Sequence, residues 1–237
     1  MTEKIQQMLQ ELEKGGVKFL PWIGENYEDG IYFDEKGELH FDEKGELRPD
    51  NGKGKKVLVL GESFYWDDDD DGNGKMFIYN LIQDFIDPKY DFRPYKRTFI
   101  KFERAVAGRE LDKEERIEFW NHVAFYNYVQ EPILRTRMAP TQEQYDNSVD
   151  AFLSLIKICQ PQAVIAWGLR LYNNLPNPKQ IKGEMGRYIN TDADDSYETW
   201  NYYLEDKIIP VIGIYHPSSA FDWMYWNQII TKFLNHE

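Results

Sequence analysis

At 237 residues, with 42% hydrophobic and 16% aromatic side chains, the chain is long enough to bury a full core and too apolar to be a disordered tail or a linker. Its 41 Asp and Glu against 28 Lys and Arg leave a net charge of -13, a field that repels polyanions and anionic membranes, so any nucleic-acid role must rest on a local basic patch. The single cysteine, Cys159, excludes a disulfide framework and any cluster or zinc site built on several thiolates.

In chain order, residues 1–16 carry acids and amides where a signal peptide needs an apolar stretch. No later apolar run approaches the roughly 20 residues of a membrane span, so a cytoplasmic protein with no membrane partner is expected. Ile5, Met8, Leu9 and Leu12 stand at helical spacing ahead of Gly15-Gly16, which predicts an amphipathic helix over 3–13. An aromatic-rich loop at 19–24 follows, and then a tandem octapeptide, FDEKGELH at 33–40 and FDEKGELR at 41–48. Each copy sets Asp-Glu-Lys-Gly between apolar residues, as a hairpin turn does, and two copies are too few for a solenoid. An exposed ribbon is the expectation, with a partner-docking arm as its functional alternative. Residues 1–54 thus read as an N-terminal helix and acidic hairpin extension, and 55–237 as the main domain.

After the basic stretch 53–56 the character changes. Val57-Leu58-Val59-Leu60 is a short, wholly apolar, β-branched run of the kind found in the middle of a parallel sheet. Similar runs follow at 123–126, at 163–167 and at 208–215, where Pro210 suits only a strand start or edge. Helical patterns lie between and after them at 76–86, 97–106, 113–120, 142–158 and 221–234. Strands alternating with helices predict an α/β fold, a three-layer α/β/α sandwich around a mainly parallel central sheet. In such sheets ligands bind beyond the carboxyl ends of the strands.

The residues at those ends are Gly61-Glu62-Ser63-Phe64-Tyr65, then Asn127, then Gly168, then His216-Pro217-Ser218-Ser219. They are the groups a small planar ligand requires. An asparagine amide offers a donor and an acceptor together, a histidine donates to an oxygen, and aromatic rings stack or limit size. Taken singly, a histidine at a strand end is more often structural and an asparagine after a strand is commonly a turn residue.

As an ordered set, GESFY, AFYN, VIAWG and HPSS resemble the uracil-DNA glycosylase superfamily, over roughly residue 55 to the end. The resemblance implies that family's fold, no cofactor, and DNA or a nucleobase as partner. His216 matches the histidine that donates to the uracil carbonyl as negative charge builds on the departing base. Asn127 matches the residue that reads the flipped base, Tyr65 the tyrosine that excludes a 5-methyl group, and Phe77 lies near the stacking phenylalanine; Gly61 and Ser218 complete the substrate-binding set. Glu62 and Ser63 fill the two places after the glycine, where the best-known branch has glutamine and a catalytic aspartate. Glu62 is therefore the nearest carboxylate to hold the attacking water, Ser63 having no charge. Ala220 replaces the leucine wedge of that branch, so that Phe221 is either a wedge or the first buried residue of the last helix.

The acidic run 67–71 sits where a family member approaches DNA. Asp67-x-Asp69-x-Asp71-Gly72 matches the first half of a calcium loop, but the twelfth position is Ile78, so a solvated acidic turn is the reading and no metal site is assigned. Lys89, Arg93, Lys96, Arg97, Lys101 and Arg104 offer a basic patch with interleaved aromatics, and Arg135 and Arg137 lie in the loop after Asn127. No glycine-rich P-loop occurs, and Gly183-Glu184-Met185-Gly186-Arg187 follows no apolar strand run, so nucleotide-cofactor signatures are missing. Two function classes result. One is hydrolysis of the N-glycosidic bond of uracil or another deaminated base in single-stranded DNA; the other is a catalytically silent module that binds a nucleobase, a nucleotide or a protein partner on the same fold.

Overall fold

The computed structural model describes residues 1–34, 38–47, 54–64, 74–87, 93–133, 138–177, 183–190 and 196–235. Helix α1 (Glu3–Lys14) starts where the Thr2 hydroxyl accepts from the Ile5 amide, and it buries the four apolar residues that the spacing had set on one face. Then come β1 (Trp22–Ile23), β2 (Val57–Gly61), a 3₁₀ turn at Gly74–Met76 leading into α2 (Phe77–Ile86), α3 (Lys96–Ala107), α4 (Lys113–Asn121) and β3 (Val123–Asn127). The second half holds α5 (Gln142–Asp146), α6 (Val149–Cys159), β4 (Ala163–Trp167), α7 (Leu169–Asn174), β5 (Gly183–Asn190), β6 (Ser196–Leu204), β7 (Lys207–Ile214) and α8 (Trp223–Leu234).

The strands form one seven-stranded sheet in the order β1-β3-β2-β4-β7-β6-β5. Its centre, β3-β2-β4-β7, is parallel, with Val57 opposite both Val123 and Ala163, and Val164 opposite Val211. β1, β6 and β5 add antiparallel flanks. Pro210 stands one residue before the β4 ladder begins at Val211, as a residue without an amide proton requires. Alternate residues of each central strand enter separate cores, because successive side chains point to opposite faces. Val57, Val59, Phe125 and Ile165 pack with α2, α3, α4 and α8; Leu58, Leu60, Tyr126 and Val164 pack with α1, α6 and α7. Helices thus cover both faces of an α/β sheet, which is why the central strands are apolar throughout.

The structure departs from the sequence expectations in four places. The aromatic loop at 19–24 contains β1, which pairs with β3. The helix expected over 142–158 breaks into α5 and α6 at Ser148, whose buried hydroxyl donates to the Gln144 carbonyl (2.7 Å) and accepts from the Gln130 amide (3.0 Å). The β5–β6 hairpin and the short α7 were not expected at all. Finally, the octapeptides are not an exposed ribbon. In both, the Glu38 and Glu46 amides donate to the Asp34 and Asp42 carboxylates (2.8 and 3.0 Å), yet Leu39 and Leu47 are buried in the main core and Phe33 and Phe41 pack against it. Each copy carries one Leu and one Phe, and burying them outweighs leaving the hairpins in water.

Cys159, at the end of α6, is fully buried, and burial pushes its thiol up to about 12. A thiolate is the reactive species, so the native protein is expected to be inert to an aromatic disulfide reagent at pH 8 and to release one equivalent of chromophore in denaturant. Rapid reaction of the native protein would contradict this placement.

Candidate functional site

The chain leaves β2 toward the α2–α4 face and leaves β3 and β4 toward the other face, so the loops after adjacent strands diverge and open a crevice. A cavity of about 730 Å³ occupies it. Of the residues singled out in the sequence, Gly61, Glu62, Ser63, Phe77, Asn127, His216 and Ser218 all line this one cavity. Tyr65, the acidic run 67–71, Lys89 and the pair Arg135 and Arg137 lie outside the described residues.

The floor is set by backbone pairing. Gly61 lies opposite Asn127 in the β2–β3 ladder. Pairing continues past it as Tyr128, Val129 and Ile133 amides donate to the carbonyls of Gly61 (2.9 Å), Glu62 (2.9 Å) and Phe64 (3.0 Å). Asn127 is buried, its own carbonyl taken by the Gln130 side chain (3.1 Å), while its carboxamide hydrogen-bonds to no described residue and lines the cavity. A Cβ at position 61 would stand 2.1 Å from Asn127 Oδ1, so only glycine leaves room for that carboxamide. The walls are aromatic. Phe77 stacks on Phe64 at 5.0 Å, and Phe99, Phe125 and Trp167 meet one another within 5.3 Å and give the cavity an apolar side.

Across the cavity, β7 ends at Ile214 and the chain turns through His216-Pro217-Ser218-Ser219. The Ser218 amide (3.2 Å) and hydroxyl (2.7 Å) both reach His216 Nδ1, and Ser219 closes the turn on the His216 carbonyl from its amide (2.9 Å) and its hydroxyl (2.7 Å). An amide N–H only donates, so Nδ1 must accept and the proton of the neutral ring sits on Nε2. Burial lowers the His216 pKa below its usual 6.5; Glu62 pulls it up and Arg170 pushes it further down. The ring is therefore a neutral donor at pH 7. Gly168, at φ +98°, makes the turn after β4 that brings Trp167 edge-on to this ring at 6.0 Å.

A proton NMR titration of His216 is expected to show a midpoint below 6.5. Because the folded state disfavours the proton, this group's contribution to stability is complete above the unfolded value and is lost as pH falls through the folded one. A midpoint at or above 6.5 would mean that the imidazole is not desolvated as its position in the cavity wall implies.

Glu62 is not a free carboxylate. Arg170 forks onto it, with Nε donating to Oε1 at 2.7 Å and Nη2 donating to Oε2, and the Tyr145 hydroxyl donates to Oε1 at 2.5 Å. Burial, then the bond to Glu62, raises the Tyr145 hydroxyl well above its usual range, so it stays a donor. Ser63 is half-buried on the cavity wall and brings no charge.

Arg170 and Tyr145 were missed in the sequence. Arg170 stands two residues past Gly168, so the strand-end rule finds it when read a little further along the chain; Tyr145, on α5, carries no such signal. The basic patch on α3 is largely committed to the protein. Lys96 is buried, with Nζ 3.6 Å from the Asp84 carboxylate and bonded to its carbonyl; Arg104 pairs with Glu110 at 3.0 Å and lies over the Trp223 ring; Lys101 donates to the Ser219 carbonyl at 3.2 Å. Phe221 is buried, stacked on Trp226 just ahead of α8, whose first turn is capped by Asp222; the wedge reading is therefore dropped. Among the described residues no helix is long and apolar enough to cross a membrane, and no three His, Cys, Asp or Glu side chains gather to hold a metal.

No protein-family model matches the chain, and a search of curated proteins returns no match.

Proposed function

We propose that the protein is a uracil-DNA-glycosylase-like hydrolase, with that superfamily's fold, which cleaves the N-glycosidic bond of uracil or another deaminated base in single-stranded DNA. The observation that carries the reading is the meeting, in one aromatic-walled cavity, of an uncommitted carboxamide on Asn127 and a neutral imidazole with its proton on Nε2. An amide offers a donor and an acceptor to the edge of a base, and a ring nitrogen donor faces the carbonyl on which charge appears when the C1′–N bond breaks and its electron pair leaves with the base. Phe77 supplies a stacking face. Of the four lone-pair sites on the Glu62 carboxylate, described residues occupy three, which leaves one on Oε2 to orient a water toward C1′. The remote negative field and the committed cations of α3 favour single strands, because extruding a base from a duplex costs a few kcal/mol that phosphate contacts must offset.

One observation favours the silent binding module instead: Arg170 neutralises the only carboxylate among the described lining residues, so in this state no net charge supports a cationic sugar. The two readings separate in one experiment. Single-stranded oligonucleotides with one uracil, hypoxanthine or xanthine are incubated with the protein and then with alkali, which cuts at abasic sites. Cleavage that His216→Ala abolishes supports the hydrolase. No cleavage on any base, with calorimetric binding of free uracil, supports the module.

A further inference from the structure

Among the described residues that line the cavity, Glu62 is the one carboxylate and Arg170 the one cation, and they are bonded to each other. The two are held very differently. The Glu62 side chain is 12% exposed and keeps a second anchor, the hydroxyl of buried Tyr145. The Arg170 side chain is 56% exposed and stands at the mouth. Arg170 can leave without unpacking the core, and an incoming phosphate replaces the carboxylate as its partner, so the guanidinium exchanges one anion for another and is never left bare. A guanidinium fork fits phosphate oxygens as well as it fits a carboxylate. The cavity is also larger than a single-ring base needs, leaving room for sugar and phosphate.

We infer that Arg170 is a phosphate-sensing positioning residue: a phosphate next to the target nucleotide draws its guanidinium off Glu62, and only then does Glu62 present an uncompensated carboxylate to the attacking water. The inference rests on the hydrolase reading for its catalytic half and on the cavity alone for its binding half. Tyr145 is what makes the exchange workable, because it keeps Glu62 in place when its counter-ion moves. Free bases and nucleosides lack the trigger, so the substrate class is phosphate-bearing nucleotides and strands, in a molecule whose net charge of -13 otherwise turns them away.

The test has a turnover arm and a binding arm. In the first, an oligonucleotide with one deoxyuridine carries either native phosphates or neutral methylphosphonates on both sides of it. In the native protein the neutral linkages are expected to lower kcat about tenfold, the scale of one charge-assisted hydrogen-bond pair. Arg170→Gln is expected to raise KM for the native strand while sparing kcat, because its Glu62 is permanently unpaired, and to be nearly indifferent to the neutral linkages. Arg170→Lys restores part of the KM. Equal losses in native protein and variant, or no loss in the native protein, overturn the inference.

In the binding arm, calorimetry compares deoxyuridine with its 5′-monophosphate. A preference of about tenfold for the monophosphate, absent in Arg170→Gln, supports the Arg170 site. Equal affinities in the native protein overturn it. If no substrate is hydrolysed, the hydrolase reading fails, and the binding arm alone decides for or against the phosphate site. A melting curve of each variant verifies folding; should Arg170→Gln not fold, the comparison of linkages and of ligands in the native protein decides between the same two outcomes.

Discussion

His216→Ala is expected to slow base release by about 10²–10³-fold in single-turnover assays, the usual cost of deleting one preorganised donor to a developing oxyanion. The size follows from the environment of the ring. A donor in water contributes little, because water replaces it at once; a donor held in a fixed position against aromatic walls is replaced less well when it is removed. His216 is fixed twice, by the Ser218 amide and hydroxyl on Nδ1 and by the Ser219 contacts to its carbonyl. Its neutral charge matters as well, since a protonated Nδ1 could no longer accept from the Ser218 amide, one of the contacts that aim Nε2. The loss should fall on kcat, with KM changed little, because the charge that the ring meets exists mainly in the transition state. A melting temperature equal to that of the native protein would separate this effect from unfolding. A rate within twofold of the native value would remove His216 from the chemistry.

Gly61→Ala should do more damage for its size than any other single methyl group added to the site. The added carbon would lie 2.1 Å from Asn127 Oδ1, a distance that real side-chain carbons do not keep, and 3.0 Å from the Phe125 ring, which is also tight. The strand cannot move aside, because β2 is bonded to β3 on one edge and to β4 on the other. The Asn127 carboxamide must therefore rotate out of its place in the cavity. Overpacking of this kind costs about 1–3 kcal/mol of stability, to be read from the denaturant midpoint. Ligand binding should be lost along with it, which calorimetry with free uracil would show. Retained binding despite the stability loss would mean that the carboxamide does not contact the ligand. Ser63→Ala, which trims an oxygen from the same loop and adds no bulk, should leave stability nearly unaltered and serves as the comparison.

The legible part of the fold was the part governed by burial. Strands such as 57–60 and 163–167 are apolar on both faces because helices cover both sides, and a run of that kind has few other uses. Their carboxyl ends then brought Gly61, Asn127 and His216 into view together, since the geometry of parallel sheets, and no property of the residues alone, makes those positions converge. What stayed hidden depended on polar contacts between distant segments. The ion pair of Glu62 with Arg170 joins the end of β2 to α7, and the hydroxyl of Tyr145 arrives from α5 only because Ser148 breaks what reads as one continuous helix. The β5–β6 hairpin escaped notice for another reason. Its residues 196–204, SYETWNYYL, alternate polar and aromatic groups at the period of a half-buried strand, but they lack the aliphatic density of the central strands. The tandem octapeptides were read by their charges, whereas Leu39 and Leu47 decide where they sit.

The slender β1 has a consequence out of proportion to its two residues. It lies along the outer side of β3, and Gly24 and Asn26 prolong the contact by donating to the Val123 and Asn121 carbonyls. That side belongs to a strand whose five residues are all buried, and an unprotected strand margin invites other copies to add themselves to it. The N-terminal stretch thus acts as a guard rail against self-association. A shortened protein beginning near residue 55 would keep its cavity residues but lose both this guard and the apolar residues that α1, Leu39 and Leu47 bury, so loss of solubility on trimming would indicate a bared sheet margin and core, leaving the chemistry of the site unjudged.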